Sequence, residues 1–303
     1  MAGRGGKDWL IKRRGFLAGS AVGLAVGLAV IGFVYGGSSS GTHNTAASSS
    51  VTSPTGSSGD AGASAASTAA SGDVNAVAVP VIPVGAPSLS GWKLTLPVDK
   101  AGALSGKAEE LQSAALTAPW LVRNADGSLS FWAPATGATT SNSEHARTEL
   151  VSTNDFTLGA GVHSLAATLS VTQVPSADPD IDVGQVHGGG SLKSIPFVML
   201  HWRDGNIVVI VKQVMHGSTS QSVTLLTGVP LGAKFSYVMT DLGNGTISLT
   251  AAYNGQARQA TVRVATPFAG TDERFQVGDY QQGTTGASAS DGGRVTFYAI
   301  DTT

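Results

Sequence analysis

The feature that most constrains this chain is a period-two alternation of apolar and polar side chains, broken at intervals by turn dipeptides. Leu165, Ala167, Leu169 and Val171 alternate with Ala166, Thr168, Ser170 and Thr172. Successive side chains of an extended strand point to opposite faces, so this pattern buries one face of a sheet. Ile207-Val208-Val209-Ile210-Val211 is a β-branched run, and Thr246-Ile247-Ser248-Leu249-Thr250 alternates again. Around such runs stand Asp126-Gly127, Asp204-Gly205, Asn244-Gly245 and Asn254-Gly255. These pairs tolerate the positive φ that a tight hairpin turn demands. Many short strands separated by turns predict an all-β domain, a β-sandwich or jelly roll with a concave sheet, over residues 80–303. Only residues 106–116, centred on Lys107-Ala108-Glu109-Glu110-Leu111, read as a short helix.

The alternation does not extend to the N-terminus. Lys12-Arg13-Arg14 precedes an uncharged stretch, residues 16–34, rich in Ala, Gly, Leu and Val. The pattern is similar to a twin-arginine export signal, and the stretch is long enough to anchor in a bilayer. Residues 1–35 are therefore expected to be a signal or membrane anchor, and the protein to be exported, periplasmic or secreted. Residues 36–79 are mostly Ser, Ala, Gly and Thr, a composition that buries too little apolar surface to offset chain entropy. They read as a disordered, flexible linker.

Charge and cysteine content remove several classes of function. Lys+Arg number 18 and Asp+Glu 20 among 303 residues. With no basic surplus, a nucleic-acid partner is not expected. The absence of Cys excludes a disulfide framework, thiolate-bound zinc and a thiol nucleophile. His145, His163, His201 and His216 have no metal-ligand spacing. Asp178-Pro179-Asp180-Ile181-Asp182 has a calcium-loop rhythm but carries Val183 where the loop needs Gly, and Gly189 where it needs Glu. No metal, no cofactor and a monomeric state are expected.

Three strand-like segments carry unusual polar faces. In Gln185-Val186-His187 the two polar side chains share a face and Val186 takes the other. In Arg147-Thr148-Glu149-Leu150, Arg147 and Glu149 share a side. In the stretch from Phe275 to Gln282, one face is Gln276, Gly278, Tyr280 and Gln282, while Phe275 and Val277 suit a core.

These three segments, in this order, resemble the signature segments of polysaccharide lyase family 7, the alginate lyases. Gly91-Trp92-Lys93-Leu94-Thr95-Leu96-Pro97 and Val295-Thr296-Phe297-Tyr298-Ala299-Ile300 are similar to that family's domain ends. Two positions depart from it: Val151 stands where the family has a second Arg, and Gln276 where it has a Lys. The resemblance implies β-elimination on an acidic polysaccharide, with Arg147, Gln185, His187 and Tyr280 as catalytic residues. Arg147 and Gln185 would meet the uronate carboxylate, where charge develops as the C5 proton leaves. A neutral imidazole suits the base and a phenol, with a reference pKa of about 10, suits the acid. For one C5 epimer Tyr280 would serve as both, with His187 holding the carboxylate. Glu149, Lys212, Gln276 and Gln282 are expected to contact substrate, Glu149 chiefly by orienting Arg147. Val186 in the triplet goes with a mannuronate-leaning preference. A lyase for another uronate polymer such as glucuronan, or a non-catalytic carbohydrate-binding sandwich, is the alternative. A glycoside hydrolase would need two carboxylates facing the scissile bond, and these faces offer Glu149 alone.

Overall fold

The computed structural model describes residues 73–82 and 85–303. The expected export signal and most of the expected linker lie outside the described residues. Among the described residues, seventeen strands follow one another. The first nine are β1 (Asn75–Val77), β2 (Trp92–Thr95), β3 (Glu110–Leu111), β4 (Leu121–Arg123), β5 (Leu129–Pro134), β6 (Arg147–Ser152), β7 (Phe156–Thr157), β8 (Val162–Gln173) and β9 (Asp180–Gly188). Then come β10 (Pro196–Arg203), β11 (Asn206–Lys212), β12 (Ser220–Leu226), β13 (Lys234–Leu242), β14 (Thr246–Tyr253), β15 (Gln256–Arg263), β16 (Asp272–Gln281) and β17 (Gly292–Thr302).

They form two antiparallel sheets. The first has the order β1-β15-β14-β13-β8-β17-β5-β4; the second runs β12-β11-β10-β9-β16-β6-β2-β3, with β7 beside β16. The order jumps along the chain, as in a jelly roll, and every pairing between named strands is antiparallel. Both sheets turn apolar faces inward. Phe131, Leu165, Leu169, Phe235, Leu249 and Phe297 from the first meet Leu94, Leu150, Val183, Val186, Phe275 and Val277 from the second in one core. Trp92, Trp132 and Trp202 are buried. At about 25 cal/mol per Å² of apolar surface removed from water, this burial is the main stabilising force.

The expected turns are present. Asp204 and Gly205 have φ of 44° and 78° between β10 and β11, and Asn254 and Gly255 have 49° and 73° between β14 and β15. Positive φ at both central residues matches the right-handed twist of the flanking strands.

Two expectations are corrected. Residues 106–116 form no helix: Lys107 bridges to Thr139, and Glu110–Leu111 pairs with β2 as an edge strand. Leu96 N–H donates to the Glu109 carbonyl, so the backbone of this segment is committed to the sheet. Ordered structure also begins before residue 80. Asn75, Ala76 and Val77 pair with Gln259, Arg258 and Ala257 of β15, so the last residues of the expected linker supply an edge strand.

Candidate active site

The outer face of the second sheet carries a cavity of about 520 Å³. Its lining comes from six adjacent strands, β3, β2, β6, β16, β9 and β10, and from neighbouring loops. Arg147, Gln185, His187 and Tyr280 all face it, although they stand far apart in sequence. Antiparallel register explains the convergence: Arg147 pairs with Tyr280 across β6 and β16, and Gln276 pairs with both Val151 and Gln185.

Glu149 organises the centre. Its Oε2 accepts from Arg147 Nη1 at 2.9 Å, and its Oε1 accepts from Gln185 Nε2 at 2.6 Å. Both carboxylate oxygens are thus engaged, and Glu149 is buried. It orients two donors from neighbouring strands, and a direct contact of Glu149 with substrate is not what this geometry offers. Arg147 also sits over the Tyr280 ring, with the guanidinium carbon 3.5 Å from the ring centroid. Its Nε has no partner among the described residues. Burial pulls the Arg147 pKa down, but Glu149, Tyr280 and Asp182 together more than offset this, and the guanidinium stays charged.

His187 is in a different electrostatic state. Burial first, then the charges of Arg147 and Arg274, depress its pKa to about 3. It is therefore a neutral imidazole at neutral pH. Its Nδ1 lies 3.4 Å from the Gly188 carbonyl. With the proton on Nδ1, Nε2 is left as an acceptor. The glycines that follow permit close packing: a Cβ on Gly188 would lie 2.1 Å from Leu192 O, and one on Gly189 would lie 2.5 Å from Asp155 Oδ2.

Gln276 and Gln282 line the same cavity. Gln282 Nε2 donates to the Tyr280 carbonyl at 2.9 Å. Lys212 does not join them. It stands on β11, outside the residues that line the cavity, and its ammonium donates to the Gly217 carbonyl.

Several lining residues were not singled out from sequence. Lys93, the register partner of Val151, faces the cavity, as do Lys107 and Lys193. Arg274 pairs with His187, and no carboxylate lies within ion-pair distance of it among the described residues. Cations thus flank the two positions, Val151 and Gln276, at which the resemblance expects them. Asp182 enters through a bulge. Register shifts between Gly184 and Asp182 against both β10 and β16, so Asp182 shares the cavity with Gln185 although it is three residues away. Its Oδ2 is buried without a partner, and burial together with Glu149 pushes its pKa well up, toward a neutral acid. His201 also lines the cavity, its Nδ1 2.7 Å from Asp180 Oδ1.

Among known proteins, the family model for alginate lyase matches residues 88–303. An alginate lyase from Pseudomonas aeruginosa superposes with a TM-score of 0.63 and 28% identity, covering 72% of this chain and 99% of that one. Alginate lyase A1-II′, described as a member of polysaccharide lyase family 7, gives 0.60 and 28%, covering 71% and 95%. A variant of A1-II′ in complex with a product, GGG, gives 0.61 and 26%, covering 74% and 99%. No match was found among curated protein sequences. A two-sheet jelly roll, a polar trough built on Arg147, Gln185, His187 and Tyr280, and a family match across the whole domain lead to one conclusion: this chain belongs to the alginate lyase family of polysaccharide lyases.

Proposed function

We propose that this protein is an endo-acting, mannuronate-leaning alginate lyase, exported by its N-terminal segment, with His187 as base and Tyr280 as acid. The observation that carries the reading is the Arg147–Glu149–Gln185 network, set beside a neutral His187 and a tyrosine under the arginine.

Glu149 uses one N–H of Arg147 and one of Gln185, and leaves their other N–H groups for a uronate carboxylate. Neutralising that carboxylate acidifies the neighbouring C5–H and stabilises the enediolate formed when the proton leaves. His187 takes the proton. The electron pair forms the C4–C5 double bond as the C4–O bond breaks, and Tyr280 gives its proton to the departing oxygen. No water is consumed.

Five cations, Arg147, Arg274, Lys93, Lys107 and Lys193, line the cavity against three carboxyl residues, Glu110, Glu149 and Asp182. That excess suits a polyanion. Six strands at about 4.8 Å spacing make a trough roughly 24 Å wide, long enough for several sugars and consistent with internal cleavage. The mannuronate preference rests on Val186 and export on Lys12-Arg13-Arg14 before the uncharged stretch.

The test is to incubate the full chain with polymannuronate, polyguluronate and glucuronan, following ultraviolet absorbance of the new conjugated double bond and the size of the products. The expected result is fastest cleavage of polymannuronate, with chain length collapsing before small products accumulate. Faster cleavage of glucuronan would move the substrate, and early release of single sugars would make the action exo.

A further inference from the structure

Tyr280 does not end in open cavity. Its hydroxyl oxygen lies 2.9 Å from Ser143 Oγ, in the loop between β5 and β6. The same Ser143 Oγ donates to the His145 carbonyl at 2.9 Å and accepts from the His145 backbone N–H at 3.1 Å. A serine hydroxyl has one proton and two acceptor lone pairs. The carbonyl of His145 can only accept, so the serine proton is committed to it. Two lone pairs then remain, one for the His145 N–H and one for Tyr280. The phenol must therefore be the donor, and its proton points at Ser143 in the resting state.

This arrangement matters once Tyr280 acts as an acid. As the C4–O bond breaks, its electron pair goes to the departing oxygen; the Tyr280 O–H turns from Ser143 to that oxygen, gives up its proton and leaves a phenolate. A lone pair of Ser143 would then face a negative oxygen. Ser143 relieves this by turning its O–H from the His145 carbonyl to the phenolate. His145 is only partly buried, and in this scheme water takes the place of the serine proton at its carbonyl. The ring is held meanwhile by the Arg147 guanidinium on its face and by the His145 ring, edge-on at 6.1 Å. The proton gained by His187 and the one lost by Tyr280 balance, and both groups return to their starting states by exchange with water.

We infer that Ser143 is a positioning residue for the acid step, holding the Tyr280 proton in the resting enzyme and donating to the phenolate after transfer. The inference rests on the reaction proposed above. A hydroxyl suits the task because it can both accept and donate strongly at one atom.

The experiment compares wild type, Ser143→Ala, Ser143→Thr and Ser143→Val by the ultraviolet assay on the uronate polymers. One hydrogen bond to a charged oxygen translates into a kcat about 10- to 100-fold lower for Ser143→Ala, with KM within about twofold. Ser143→Thr keeps the hydroxyl and should recover to within about fivefold of wild type. Thr and Val have nearly the same shape, so this pair isolates the hydroxyl even where Ala loosens the loop. Equal rates for Thr and Val, a loss confined to KM, or Ser143→Ala matching wild type would overturn the role while leaving the lyase reading intact. Wild-type silence on every polymer would overturn both.

Discussion

Both faces of β16 carry polar side chains, and they put them to different uses. Its inner face presents Glu273, Phe275, Val277, Asp279 and Gln281 to the core. Its outer face presents Arg274, Gln276, Tyr280 and, just past the strand, Gln282 to the cavity. Inward, Asp279 Oδ2 accepts from the Ala133 N–H at 3.0 Å, and Gln281 Nε2 lies 3.5 Å from Pro134 O and 3.4 Å from Ala146 O. One polar atom of Asp279 and one of Gln281 thus bond to backbone and hold strands in place, while Asp279 Oδ1, Gln281 Oε1 and Glu273 Oε2 face the packed core with no partner among the described residues. Outward, among the described residues, Arg274 has no ion pair and its Nε no partner, and Tyr280 keeps a lone pair for another donor. Burial alone does not mark a functional polar group; an unused hydrogen-bonding valence that faces a cavity does.

Substitutions on the two faces should therefore separate, with outer changes costing rate and inner changes altering stability. The largest effect is expected at Tyr280→Phe and His187→Ala. Each should lower kcat by about 10³-fold or more, with the melting temperature nearly unchanged. A loss of only a few-fold at either would remove that residue from its proton-transfer role. Because His187 is already neutral well below its ordinary pKa, kcat/KM should stay flat as pH falls through 6.5.

The inner face comes next, through Glu273. Burial, with the nearby carboxylates of Asp155 and Asp272, raises its pKa from 4.5 to about 7. Between those values the folded state keeps a proton that the unfolded chain has lost, so stability falls as pH rises and then levels off. The full difference is roughly 3 kcal/mol. Glu273→Gln removes the charge and should gain about that much above pH 7, and nothing below pH 4.5, when denaturation is measured at both ends. An equal gain at both pH values would contradict the assignment.

The smallest effect is expected at Arg274→Gln. Removing an unpaired cleft cation should raise KM for the polymer about tenfold at low salt and less at high salt, with kcat little changed. A salt-independent KM would mean that Arg274 does not meet substrate charge.

How much of this was legible in sequence follows the regularity of the backbone. Where strands keep strict parity, as at Arg147 and Glu149 or Gln185 and His187, alternation placed the side chains on the correct face. The hairpins were legible because Asp-Gly and Asn-Gly pairs accept a conformation other residues resist. Asp182 was not legible, since the bulge in β9 breaks the parity that would otherwise put it with Gly184 and Val186. Ser143 lies in a loop, where no period exists to read. Residues 106–116 have a helical composition, but pairing with the edge of β2 overrides a weak local propensity. Lys212 lies on a strand of the correct sheet, yet too far from its centre, and Gly217 occupies its ammonium.

The most direct test is to run the reaction on alginate in heavy-oxygen water and read the new chain ends by mass spectrometry. Elimination predicts unsaturated non-reducing ends with no solvent oxygen built into either fragment at the moment of cleavage. One atom of heavy oxygen at each broken linkage, with no conjugated double bond, would mean hydrolysis and contradict the roles given to His187 and Tyr280.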